Sequence, residues 1–469
     1  VLVVLPIISL LVGAFALHAV SLIRRDLARY LALASAIIAM ISALKISLEA
    51  IYGKIIVYPL GGWKAPYGIV LVIDDVNAAL LLFSSILIVF LVAYAILSVK
   101  DGKYLTLLLL FSASSLGVLE TGDLFNMYVF FEILSISSYA LVAFSKSKSS
   151  LKASISYAIS GSLGTTFILL GIAMTYASYG TLNLAHLAKI TEHNCLYLAI
   201  TFFLVGFGIK ALIYPLHVWK VSALSYALPS TSAALAGITT NIGLYCIFRI
   251  LTIFNALRTF SLFLISIGAI GIILSAILAS MQKKLSMLLA YSCMCQASYV
   301  LLCFGIIPFV KESIVAAVFH MINSAFAEAC LFMILGMVGN DMSKLSIKNS
   351  VVKIPFILAS MSIAGMPGLV GFVSKLLIYE VTFKFNALLT IVALAGSAIS
   401  FLYFGRILCF SLHSRREEVR ILSTIPINTL ALFCLIFGIY PEPLYDIAEK
   451  SLISLNVKNY VDAVLYARA

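Results

Sequence analysis

The chain has 469 residues, 63% of them hydrophobic and 11% charged, whereas a soluble domain carries about a quarter charged residues. That balance excludes a soluble enzyme and leaves no room for a soluble domain beside a membrane part. The net charge of +12 collects at the ends of apolar segments, so it reads as membrane topology and not as a nucleic-acid surface.

In chain order, the opening VLVVLPIISL has no methionine and no basic region with a cleavage site, and it reads as a span instead of a signal peptide. Runs of about 20 apolar residues, each long enough to cross a bilayer as a helix, then follow to the end. They give fourteen expected spans at 1–23, 30–50, 76–99, 104–120, 124–144, 152–177, 196–218, 230–252, 259–280, 286–305, 313–338, 354–380, 386–411 and 422–440. Alternate breaks hold RRDLAR, KDGK, KSKSSLK, Lys220, QKK, the 341–353 loop and the run from Arg406 to Arg420, which together take 18 of the 31 lysines and arginines. The positive-inside rule places those breaks in the cytoplasm and both termini outside. The segment from Pro441 onward is mildly amphipathic and is expected along the outer surface. The eight cysteines are scattered through apolar segments and read as core residues; no iron–sulfur, phosphate-loop or dinucleotide signature gives a cofactor a home in this chain.

Two stretches repeat. GFGIKALIYP (206–215) and GFVSKLLIYE (371–380) align their lysines, and SYALVAF (138–144) echoes SYVLLCF (298–304). The lysines fall in spans seven and twelve, an odd separation, so the two copies cross in opposite directions and form an inverted repeat. Gly206, Gly208 and Pro215 surround Lys210, and Gly365, Pro367, Gly368 and Gly371 precede Lys375, which predicts that both spans are broken. Such breaks are tolerated at membrane depth only beside protein or water.

Glu132, Lys210, His320, Glu328 and Lys375 all fall inside these spans. An ionisable group at mid-membrane costs about 3 kcal/mol on insertion scales unless it pairs or meets water. Each has a plain structural alternative: a static salt bridge for Glu132, snorkelling for the lysines, a core imidazole for His320. Distributed through both repeats, they read as proton-accepting sites. Proximity of Glu132 and Lys210 favours both charges, and separating the two lets the lysine release its proton.

The segments TGDLFNMYVFFEI (121–133), GFGIKALIYPLHVW (206–219), LLAYSCMCQASYVLL (288–302), FHMIN (319–323) and AGMPGLVGFVSKLLIY (364–379) resemble the antiporter-like proton-pumping subunits of respiratory complex I, Mrp cation/proton antiporters and energy-converting hydrogenases. The wording is most similar to the Mrp D subunit and its counterpart in archaeal membrane-bound hydrogenase and sulfane reductase complexes. The resemblance implies an all-α membrane protein of about fourteen helices: an N-terminal unit (1–100), two inverted five-helix repeats (101–255 and 256–412) with helices seven and twelve broken, and a last helix with a short tail (413–469). It implies that Glu132 pairs with Lys210, that His320 links the halves, and that Lys375 leads to the outer exit. His217, Asn241, Asn323 and Ser324 would line the polar axis and order water. The implied partners are other antiporter-like and small helical membrane subunits, with protons and sodium as the ions, the lipid bilayer of the cell membrane as the setting, and nickel–iron or iron–sulfur centres only in those partners. The chain departs from the pattern where a span-eight lysine becomes Asn241, a second histidine becomes Ser324 and a lysine becomes Glu328. The resulting expectation is a proton- or proton/sodium-translocating subunit of a redox-driven complex; a gradient-driven Mrp-type antiporter and a structural subunit with a degenerate path are the alternatives.

Overall fold

The computed structural model describes residues 2–53, 55–190, 196–342, 349–411 and 421–466. Lys344, Lys348, Arg415, Arg416 and Arg420, counted above as cytoplasmic charges, and the repeat boundary at 412–413 lie outside the described residues. The protein is nearly all helical. Helices α1 (Leu5–Ile23), α2 (Arg25–Ile51), α3 (Asp75–Ser98), α4 (Gly102–Glu120), α5 (Leu124–Ala143) and α6 (Lys148–Tyr179) are followed by a short α7 (Leu184–Ile190). Next come α8 (Tyr197–Lys210), α9 (Val218–Tyr226), α10 (Pro229–Ala234) and α11 (Thr240–Ile253), the last two joined by a π-helical turn, Leu235–Thr239. The second half holds α12 (Leu257–Ser280), α13 (Leu285–Ile306), α14 (Ser313–Val338), α15 (Ser350–Ala364), α16 (Val370–Phe385), α17 (Ala387–Ser411) and α18 (Ile421–Ile439), then α19 (Glu442–Lys450) and α20 (Val457–Leu465). Among the described residues, 12 helical segments are long and apolar enough to cross a membrane, and the protein is a multi-pass integral membrane protein.

Local chemistry sets the helix starts. Asp74 and Asn77 form a reciprocal capping box at α3, and Asp101 caps α4. The stretch TGDLFN is a capping device: Asp123 accepts from the backbone N–H groups of Phe125 and Asn126, while Asn126 Nδ2 donates to Thr121 Oγ1 at 2.9 Å. Besides the short α7, a small sheet is absent from the expected elements. Strand β1 (Ile56–Pro59) pairs antiparallel with β2 (Val70–Ile73), and the Gly122 N–H donates to the Val70 carbonyl, so this hairpin docks on the entry to α5. The all-α membrane architecture holds, with this one small sheet added between the second and third helices.

The core sits around α10, α11, α13 and α14, whose residues are buried on nearly every side. Outer helices turn apolar side chains such as Phe15, Ile159, Leu262 and Ile391 outward, as lipid requires. Both expected breaks are present: α8 and α9 are separated by residues 211–217, and α15 and α16 by 365–369. The second break has the expected makeup, with Gly365 at φ +88° ending α15 and Pro367 and Gly368 following it; at the first break Pro215 lies within the gap, but two of the glycines do not cause it. Gly206 and Gly208 remain helical within α8, and an added Cβ at Gly206 would lie 2.6 Å from the Gly164 carbonyl oxygen, so Gly206 serves close packing on α6. The chain departs from the helix after Lys210, with Leu212 at φ +63°.

Two further expectations change. Lys220 is not a loop charge, because it lies on α9 fully buried. The C-terminal segment does not merely rest on a lipid surface. Its helices fold back on the protein: Ser454 Oγ accepts from the Val76 N–H, and the Tyr460 ring stands 5.2 Å from the Arg249 guanidinium. Beneath that ring, Arg249 pairs with Asp74 at 2.6 Å, both side chains buried.

Candidate functional site

The polar side chains of the interior fall into two groups. In the first, Lys210 is the last residue of α8 and 1% exposed. Its Nζ donates to Ser135 Oγ at 2.6 Å and to Tyr139 OH at 3.0 Å. Ser135 and Tyr139 lie one and two turns beyond Glu132 on the same face of α5, as positions i, i+3 and i+7 of a helix must. Glu132 is only half-buried, because it flanks a stripe, Phe125, Val129 and Ile136, that faces outward. The expected Glu132–Lys210 pair is therefore not a contact among the described residues: the carboxylate sits beside the Tyr128 hydroxyl, at a distance from the amine over which only electrostatics couples the two. Separation along α5 is the reason, since the hydroxyls fill the space nearest the amine.

The second group surrounds the other break. Lys375, 2% exposed, donates from Nζ to the Ala364 carbonyl at 3.2 Å, the last carbonyl of α15, and lies 5.5 Å from the Tyr299 ring centre. The His320 Nδ1 and Ser374 Oγ share a hydrogen bond of 2.5 Å, while its Nε2 has no partner. Asn323 Oδ1 accepts from Ser362 Oγ, which in turn accepts from the Gly371 N–H. Thus α14 is tied to both halves of the broken segment.

Between these groups runs one face of α14, where His320, Ser324 and Glu328 repeat at four-residue intervals. Ser324 donates back to the Met321 carbonyl at 3.1 Å, and Glu328 is buried with Oε1 unbonded. Asn241 does not stand free in the axis: its Nδ2 donates to the Gly237 carbonyl at 3.0 Å and the Met321 carbonyl at 3.1 Å, joining α11 to α14 across the π-helical turn. The adjoining Thr240 meets an amine instead: Lys220 Nζ donates to Thr240 Oγ1 at 3.0 Å and to the Lys210 carbonyl. His217 is buried at the start of α9, its ring between Tyr214 and Tyr291 and its Nδ1 unbonded.

The residues missed from sequence are Lys220 and the hydroxyls of Ser135, Tyr139, Thr240 and Ser374. Lys220 did carry a signal. The other breaks grouped with it hold clusters of basic residues, whereas Lys220 is the only charge between Lys210 and Arg249. No group of residues suited to hold a metal occurs among the described residues.

A run of buried amines, acids and hydroxyls beside two broken helices is an arrangement for moving small cations or protons. Residues 121–400 match the family described as NADH:quinone oxidoreductase/Mrp antiporter, TM. The chain belongs to this family. It is 31% identical to NADH-quinone oxidoreductase subunit N of Desulforudis audaxviator over 86% of this chain and 85% of that one. The D subunit of the Na+/H+ antiporter of Bacillus subtilis is likewise 31% identical, with 87% of each covered. A chain of the archaeal membrane-bound sulfane sulfur reductase superposes with a TM-score of 0.93 at 26% identity over 99% of both chains. The likeness expected from the motifs is thus established along the whole length.

Proposed function

We propose that the chain is the proton-translocating membrane subunit, moving protons alone or against sodium, of a redox-driven complex of the hydrogenase and complex I type. The observation that carries this reading is Lys210: a buried amine at the end of a broken helix, held by two neutral hydroxyls and facing the field of Glu132. A structural lysine would be expected in direct contact with an acid; this one is free to exchange charge. Glu132 governs the charge on Lys210, and His320 and Glu328 hand protons towards Lys375 and the outer side, with His217, Asn241, Asn323 and Ser324 ordering the polar axis. The repeats span 101–255 and 256–412. Other membrane subunits surround the chain in the cell membrane, nickel–iron or iron–sulfur centres reside in the partners, and both termini lie outside.

The likeness to the D subunit of an antiporter favours a second reading, an assembly powered by an existing ion gradient. Copurifying nickel–iron or iron–sulfur subunits decide for the first. The deciding test for transport uses the chain purified with its accompanying membrane subunits and reconstituted into vesicles holding a pH-sensitive dye. Lys210→Ala and Glu132→Ala abolish proton movement driven by an imposed sodium gradient or membrane potential; wild-type rates in both would leave the chain a scaffold. Lys375→Ala tests the exit separately and is expected to stop net release.

A further inference from the structure

Lys220 stands outside both groups of polar residues at the breaks. It is completely buried on α9, and neither the described ion pairs nor its hydrogen bonds supply an acid in contact with it. Its two acceptors are the Lys210 carbonyl, which the end of α8 leaves without a helical partner, and Thr240 Oγ1. The Thr240 hydroxyl donates to the Leu235 carbonyl at 3.3 Å, so it receives from the lysine and does not compete for a proton.

This geometry suits both charge states. A neutral amine has two N–H groups, and both are used by these acceptors; an ammonium has a third. A proton can therefore leave or arrive at the remaining position of Nζ without breaking either bond. Lys210, Cys293 and Glu328 all lie within electrostatic reach of this amine, and the Lys210 backbone is in direct contact with it. The Cys293 thiol lies beside the Glu328 carboxyl, whose Oε1 has no hydrogen-bond partner.

We propose that Lys220 is the middle proton carrier of the chain, linking Lys210 to Glu328 across the ground marked by Cys293. The proposal rests on the transport reading above. In the step, Lys220 ammonium gives one proton to the Glu328 carboxylate, leaving a neutral amine and a carboxylic acid. The amine regains a proton from the Lys210 ammonium, and Lys210 is recharged from the Glu132 side. Glu328 returns to carboxylate by releasing its proton along α14 towards His320. A capping role alone would be met by any neutral donor, without burying an amine.

Lys220→Gln separates the two roles, because a glutamine amide still donates two N–H groups but cannot carry a proton. In the vesicle assay it is expected to lower the initial rate at least about tenfold, with complex yield and thermal melting unchanged. Glu328→Gln should do the same, and the double variant should be no slower than either single one, as members of one series act. A Lys220→Gln rate within about twofold of wild type, while Lys210→Ala is inactive, overturns the proposal and leaves the transport reading standing. Wild-type transport in Lys210→Ala overturns both. Should Lys220→Gln fail to assemble, Lys220→Arg decides in its place, because a guanidinium keeps the charge and the donors but does not release a proton: a loss of about tenfold supports the link, and a rate within about twofold of wild type removes it.

Discussion

At the scale of single residues, the hydroxyls around Lys210 are where the chemistry is tuned. A hydrogen bond to a charged group contributes about 1.5–3 kcal/mol, so Ser135→Ala and Tyr139→Phe each change the free energy of the ammonium by a substantial part of the switching range. Both variants are expected to slow proton flux about tenfold, short of the full loss in Lys210→Ala; equal rates in variant and wild type would remove the hydroxyls from the path. The pair Arg249 and Asp74 gives a different signature. Arg249→Ala strands a buried carboxylate at a cost of about 3–5 kcal/mol, which should appear as a lower melting temperature in detergent before any effect on transport per assembled complex. The charges themselves were legible, because an acid or amine in a membrane-length apolar run has no cheap explanation. Their partners were not. Serine and tyrosine occur throughout these helices, and nothing in their spacing says which hydroxyl meets which amine. That Glu132 stands half-exposed on α5, away from contact with Lys210, likewise depends on which neighbours cover each helix face.

Among the elements, the two breaks are the features the sequence announced most clearly, and the glycines around them divide by what lies nearby. An added Cβ at Gly371 would stand 1.7 Å from the Ser362 carbonyl oxygen, so Gly371→Ala must part the two halves of the second broken segment. Its expected cost is about 1–3 kcal/mol, read as lost thermal stability together with lost transport. At Gly208 the nearest atom would be 3.6 Å away, and Gly208→Ala is expected to be neutral or stabilising by up to about 1 kcal/mol; a large loss there would mean that α8 unwinds during function. Helix positions were readable to within a few residues, since apolar runs of this length admit few alternatives. The hairpin of β1 and β2 was invisible because four-residue strands in an interhelical segment leave no periodic trace, and the docking of α19 and α20 depends on contacts remote in sequence.

For the molecule as a whole, the C-terminal helices act as a clasp over the Arg249–Asp74 pair, reaching back to α3, α11 and, through Lys189 and Tyr466, to α7. Ending the chain at Tyr440 should lower the melting temperature of the complex and open Arg249 to modification by a guanidine-directed reagent; unchanged reactivity would reduce the clasp to a surface ornament. The helix α14 has the opposite situation, being enclosed along almost its entire length. A rod with neighbours on all sides cannot drift alone: any inherited change on it must be answered across the gap. Among relatives, an acid at the place of Glu328 should therefore arrive together with a basic residue at the place of Lys220, and lineages that lost one should have lost the other.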